Sequence, residues 1–230
     1  MIQPVAVIVV LVTANVLNNR LASDAYVITG VGATVLLIVL ARWDGCSWDD
    51  LGLGRGTWRS GLRWGGAAAG LVLLAYAAGA VLPLTQDAFA DDRAAELSGG
   101  EVLWNAFGRV PLGTVLLEEI AFRGVLYAVL ESRWGTRNAI IGSSALFGLW
   151  HVLPSTGLAG RNAAVGGIVG DGPLATTLAV SGVVVGTALA GVVFCELRRR
   201  SGSLLAPMGL HWALNGLGVA FAWALNGGGR

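Results

Sequence analysis

The chain has no lysine: all fifteen of its basic residues are arginine, against fourteen acidic ones, for a net charge of +1 over 230 residues. We read that absence as a compositional bias rather than a functional feature. Charged residues of every kind make up 13% of the sequence, about half of what a soluble domain carries. So even a balance removes any global electrostatic case for nucleic acid as a partner. Two cysteines, Cys46 and Cys195, are too few for a disulfide framework or a cysteine-based metal site. Histidine is as scarce, with only His151 and His211.

What the chain does have is apolar sequence. Hydrophobic residues are 55% of the total and the mean hydropathy is +0.69. Runs long enough for a hydrocarbon core of roughly 30 Å fall near 3–18, 25–41, 62–84, 103–131, 137–153, 174–197 and 203–225. The expected fold is all-α: a polytopic integral membrane bundle of about seven transmembrane helices, forming one membrane-embedded domain over 1–230. The start, "MIQPVAVIVVLVTANVLNN", has no basic leading region and no small-x-small cleavage site, so it reads as a retained first helix.

Arginine placement sets the expected orientation. Arg42, Arg55, Arg59 and Arg63 fall in one connection, Arg133 and Arg137 in another, and Arg198, Arg199 and Arg200 in a third. These connections alternate along the chain, so they share one side, which the positive-inside rule makes cytoplasmic. Arg20, Arg93, Arg109, Arg161 and Arg230 fall on the other side with the acidic stretch "TQDAFADDRAAELSGGE". The N-terminus is then cytoplasmic in a cell membrane, and both cysteines sit at the cytoplasmic side, where they stay reduced. Trp43, Trp48, Trp58, Trp64, Trp104 and Trp134 fall near span ends, as an interfacial aromatic belt requires. The glycine-rich "GLAGRNAAVGGIVGDGP" (157–173) is the expected flexible loop.

Polar groups inside these runs need a partner or a task. A charge at bilayer depth costs at least roughly 2.5–3.5 kcal/mol on insertion scales. Within "LLEEIAFRGVL", Glu119 and Arg123 lie four apart on one helix face and can pair; this reads as a structural ion pair. Glu118 points about 100° away and has no local partner. His151 ends "FGLWH", and His211 shares a helix face with Asn215 in "HWALN". Taken singly, His151 reads as a satisfied buried histidine, His211 with Asn215 as an ordinary interhelical hydrogen bond, and Phe147 as packing. Asn15, Asn18 and Asn105 fall at span ends, where polarity needs no explanation. Since lipid offers no hydrogen bonds, intramembrane polar groups turn inward and meet. Glu118, His151, His211 and Asn215 together have the chemistry of a hydrolase. A carboxylate taken from water becomes more basic and can deprotonate water, one histidine can orient or share that proton, and imidazole and amide groups can stabilise an oxyanion.

These residues carry a resemblance. "EEIAFR" (118–123), "FGLWH" (147–151) and "HWALN" (211–215) resemble, in order and spacing, the EExxxR, FxxxH and HxxxN motifs of the CAAX protease and bacteriocin-processing family (CPBP or Abi). "DLGL" at 50–53 resembles a segment often found upstream in that family. The resemblance covers mainly 103–225, the expected catalytic core. It implies a glutamate-dependent intramembrane endopeptidase. Glu118 and His151 would activate water, His211 and Asn215 would stabilise the oxyanion, and Glu119, Arg123 and Phe147 would support the site. The implied partners are membrane lipid and a peptide or lipidated protein substrate. The cofactor stays open between none and a divalent metal such as zinc, for which Glu118, His151 and His211 would be the ligands. Two rivals remain at this stage: a non-catalytic membrane scaffold or bacteriocin-immunity protein, and a proton-coupled transporter. No inverted repeat supports the second.

Overall fold

In lipid, a backbone satisfies its own hydrogen bonds by winding into helices, and the apolar runs do so in the computed structural model. It describes residues 4–86, 89, 94, 96–156, 170 and 172–227. Helix α1 (Pro4–Val16) continues through π-wound Leu17–Leu21, and α2 (Tyr26–Trp43) and α3 (Trp58–Val81) follow. Next, α4 (Gly99–Trp104) runs without a break into π turns over Asn105–Val115, an α-helical turn at Leu116–Glu118, further π turns over Glu119–Leu126, and α5 (Tyr127–Trp150). A kink at Gly135, where φ is 76°, folds α5 back on itself. The short α6 (Val152–Ser155), then α7 (Pro173–Ser201) and α8 (Leu205–Trp212), lead through π-wound Ala213–Leu217 into α9 (Gly218–Leu225).

Among the described residues, five helices are long and apolar enough to cross a membrane: Pro4–Leu21, Ser23–Trp43, Arg55–Val81, Pro173–Ser201 and Leu205–Leu225. The runs at 103–131 and 137–153 are helical too, yet they are not among the five. Arg109, Glu118, Glu119 and Arg123 interrupt the first, and the second is the short limb after the kink. The described residues therefore form an all-helical membrane bundle in which five of the seven expected runs are spans of this kind.

Connections group into two ends. At one, the Arg198 guanidinium donates to the Asp49 and Asp50 carbonyls at 3.1 and 3.0 Å, and the Leu204 amide donates to the Gly52 carbonyl at 2.8 Å. Asp44, Asp50 and Glu131 line one cavity there. At the other, Arg20 donates to the Thr156 hydroxyl at 3.4 Å and the Trp223 indole to the Leu97 carbonyl at 2.8 Å. The arginine-rich connections thus share one end, as their alternation implied. All six tryptophans of the expected belt are exposed. Cys46 and Cys195 form no disulfide, and Cys195 is fully buried three residues before Arg198. The glycine-rich segment at 157–173, most of the acidic stretch, Arg93, Arg161 and Arg230 lie outside the described residues.

Where helices cross, glycine sets the distance. A Cβ at Gly65 of α3 would lie 2.6 Å from the Leu205 carbonyl oxygen, and one at Gly209 of α8 would lie 2.9 Å from the Gly65 Cα. This backbone-to-backbone approach is how membrane helices gain packing without a hydrophobic drive. The core clusters around the central helix, with Leu37, Leu51, Phe122, Phe147, Phe194 and Leu204 all buried.

Candidate functional site

The central helix brings Glu118 and Glu119 to the middle of the bundle, and tertiary contacts separate their roles. Glu119, with no exposed surface, accepts from Arg123 Nη1 at 3.2 Å, the i,i+4 pair expected from spacing. The same Oε1 takes His211 Nδ1 at 2.7 Å. A carboxylate only accepts, so Nδ1 carries the proton and Nε2 turns toward Glu118. Arg123 is equally buried, and its guanidinium lies 3.9 Å from the Phe147 ring centroid and 4.7 Å from that of Phe194. Those aromatic faces stabilise a desolvated cation. Phe194 also stacks on the His211 imidazole, with centroids 5.1 Å apart.

Glu118, 4% exposed, accepts from the Trp150 indole Nε1 at 2.9 Å through Oε1. Its Oε2 is buried and makes no hydrogen bond to the protein. His211 Nε2 is 3.7 Å from Oε2 and His151 Nε2 is 4.0 Å from it. His151 Nδ1 donates to the Phe147 carbonyl at 2.8 Å, which again turns Nε2 to the glutamate. Three polar atoms thus face one another across gaps too wide for direct hydrogen bonds and suited to a bridging water.

The structure brings together Glu118, Glu119, Arg123, Phe147, His151 and His211. Asn215 is half-buried in the π-wound turn after α8, and no hydrogen bond joins its side chain to the cluster. Sequence reasoning missed three participants. Trp150 stands inside a quoted motif but has no repeat or spacing to mark it, and Phe194 lies on a helix with no polar motif. Asn15, read as a span-end residue, is buried and donates to the Trp150 carbonyl at 2.9 Å. It tethers α1 to the segment carrying Trp150 and His151. Intramembrane asparagine was the available signal.

The residues do not fit a resident metal as arranged. Tetrahedral zinc ligands at about 2.0–2.2 Å from the ion stand roughly 3.3–3.6 Å from one another, a few tenths of an ångström closer than the 3.7 and 4.0 Å separations from Glu118 Oε2. No group of three His, Cys, Asp or Glu among the described residues makes a metal site. No chemical step is therefore routed through a metal.

Fold and cluster together define a polytopic membrane protein with a titratable site sealed inside its helices. The family model of type II CAAX prenyl endopeptidases, Rce1-like, matches residues 101–217, just over half of the chain, and the chain belongs to that family. This is a family of membrane proteases, and the matched span runs from α4 to the π turn after α8. Neither comparison with curated proteins nor comparison with solved structures gave a significant match.

Proposed function

We propose that the chain is an intramembrane endopeptidase in which Glu118 activates water against a peptide bond of a membrane-associated or lipidated substrate. The observation that carries this reading is the buried, unpartnered Glu118 Oε2 facing two imidazole Nε2 atoms at 3.7 and 4.0 Å. Leaving such an oxygen unsatisfied costs roughly 1–3 kcal/mol or more, so the site is built for a further hydrogen-bonding molecule. Water held there donates one hydrogen to Glu118 Oε2 and the other to His151 Nε2. As its oxygen attacks the carbonyl carbon, Glu118 takes the proton and passes it to the leaving amine nitrogen. In this reading His211 is an imidazolium, its Nδ1–H held by Glu119 and its Nε2–H donating to the developing oxyanion, with the Asn215 amide as second donor. Glu119 and Arg123 act through His211 and are positioning residues.

A lipidated substrate is supported by an apolar cavity of about 230 Å³ between α1 and α5, lined by Leu11, Val12, Phe122, Leu146, Leu149 and Trp150. The last is the residue bonded to Glu118. We also propose that the helices at 103–131 and 137–153 cross the membrane, making seven crossings, with the N-terminus and the arginine-rich end cytoplasmic.

The test compares protein termini in cells carrying wild type, Glu118→Gln and His211→Ala at matched membrane levels. Wild-type-specific termini vanish in both variants, with turnover down about 10²–10⁴-fold. Identical termini in all three strains, with a wild-type-dependent phenotype intact in the variants, would sink the catalytic reading in favour of a scaffold.

A further inference from the structure

The central helix is buried without interruption from Leu117 to Tyr127, whereas one turn nearer its N-terminal end Thr114 is only half-buried and Leu112 is exposed. The limb of α5 beyond Gly135 runs back along that helix, so His151, its last residue and the most open of the cluster's charged groups at 21% side-chain exposure, lies at the same end. A peptide reaching Glu118 therefore passes Thr114.

Thr114 is not alone there. Tyr26, the first residue of α2, brings its hydroxyl to within 2.9 Å of Thr114 Oγ1. Further contacts hold the phenol ring in place. A Cβ at Gly113 would stand 2.5 Å from Tyr26 Cδ1, so the ring comes this close to the central helix only because position 113 has no side chain. A Cβ at Gly30 of α2 would stand 2.8 Å from the Gly113 carbonyl oxygen, so the two helices cross in backbone contact at this level. The Arg109 guanidinium covers the ring, 4.6 Å from its centroid, and a cation over the ring favours negative charge developing beside the hydroxyl. Glu118 and Arg109 both act through space on that hydroxyl.

Thr114 and Glu118 lie four residues, about 6 Å, apart along one helix face. Helical side chains lean toward the N-terminus, which tips the Glu118 carboxylate toward the Thr114–Tyr26 pair. A donor to a carbonyl under attack from water on Glu118 Oε2 stands about two hydrogen-bond lengths, roughly 6 Å, from that oxygen. The hydroxyl pair is thus in register with the reacting carbonyl. Hydroxyls rotate, so Thr114 Oγ1 can accept from Tyr26 at rest and donate to it once the phenol proton turns to the substrate. Asn215, by contrast, shares no hydrogen bond with the cluster.

We propose that Tyr26 is a further catalytic residue, whose hydroxyl donates a hydrogen bond to the carbonyl oxygen of the cleaved bond as that oxygen becomes an oxyanion. The phenol keeps its proton throughout, and Thr114 and Arg109 are positioning residues. The proposal rests on the peptidase reading and adds a donor from α2 to its site.

The experiment uses the full chain in proteoliposomes with a farnesyl-cysteine peptide carrying three residues after the cysteine, and follows release of those residues. Tyr26→Phe removes one oxygen and keeps the ring against Gly113 and Arg109. Its kcat falls about 100-fold, the scale of losing one oxyanion donor, while KM stays within about twofold. Thr114→Val keeps the shape of the partner and removes its hydroxyl, and its kcat falls about tenfold at unchanged KM. Adding Tyr26→Phe to Glu118→Gln leaves equilibrium binding of the same peptide unchanged, because the hydroxyl acts on the transition state rather than on the bound peptide. An unchanged kcat in Tyr26→Phe overturns the proposal. So does a loss confined to KM or to peptide affinity, which a packing role predicts. Should Tyr26→Phe fail to accumulate, Thr114→Val at matched membrane levels decides by the same split. No cleavage by wild type overturns the peptidase reading and this proposal with it. Cleavage that persists in Glu118→Gln overturns the glutamate mechanism and leaves the Tyr26 result standing.

Discussion

Two adjacent glutamates in one helix end in different circumstances because each meets a different neighbour. Glu119 is neutralised by Arg123 and anchors His211, so its charge is spent on geometry. Glu118 receives one donor, the Trp150 indole, and keeps a second oxygen unpartnered. That division makes Trp150 a separate test. Trp150→Phe keeps most of the ring volume and removes the N–H. A hydrogen bond to a charged acceptor contributes about 1.5–3 kcal/mol, so folded stability should fall by a similar amount and the turnover of the protein that remains folded roughly 10- to 100-fold. An unchanged turnover would show that the indole only packs. Of these residues, the Glu119–Arg123 pair was legible from spacing alone. The Trp150–Glu118 bond joins residues 32 apart in the chain and was not.

Among elements, the π-wound turns and the glycine crossings do most to place the site. Pro111 lies within the first π stretch of the central helix, where its missing N–H interrupts the ordinary i→i−4 ladder. The reading of Glu118 and Glu119 as 100° apart presumed regular α winding, which these turns do not keep. The α3–α8 crossing controls His211 more directly, since Gly209 stands two residues before it and touches Gly65. Gly209→Leu is expected to push the two helices apart, at a cost of about 1–3 kcal/mol. It should lower activity further than the loss of folded protein explains. Activity that tracks protein level alone, measured on quantified membranes, would contradict a positioning role for the crossing. Helix existence was readable from hydropathy. The count rests on the two site-bearing segments, whose charges and short limb after Gly135 set them apart from the five long apolar helices.

At the scale of the molecule, the two ends differ in charge, and the arginine-rich end holds Cys46 in a polar connection. Desolvation, with Asp44 and Asp50 adding to it, holds the Cys46 thiol above its ordinary value, so labelling has to be run at mildly alkaline pH, where the thiolate is populated. With that end cytoplasmic, a membrane-impermeant maleimide should leave Cys46 unmodified in intact cells and modify it in inside-out vesicles. Labelling in intact cells would reverse the orientation, and with it the side from which the peptide approaches.

The sequence by itself determined the class: an apolar chain with 13% charged residues and several hydrophobic runs long enough to span a bilayer reads as a helical membrane protein. Motif spacing nominated Glu118, Glu119, Arg123, His151 and His211 because local periodicity fixes which side chains share a helix face. Tertiary structure alone decided which glutamate stays unpartnered, that His211 leans on Glu119, that Asn15 and Trp150 belong to the site, and that Asn215 stands apart from the cluster's hydrogen bonds. Each of those outcomes depends on where separate helices cross. Crossing distances are set by residues such as Gly65 and Gly209, whose effect appears only when the partner helix is in place.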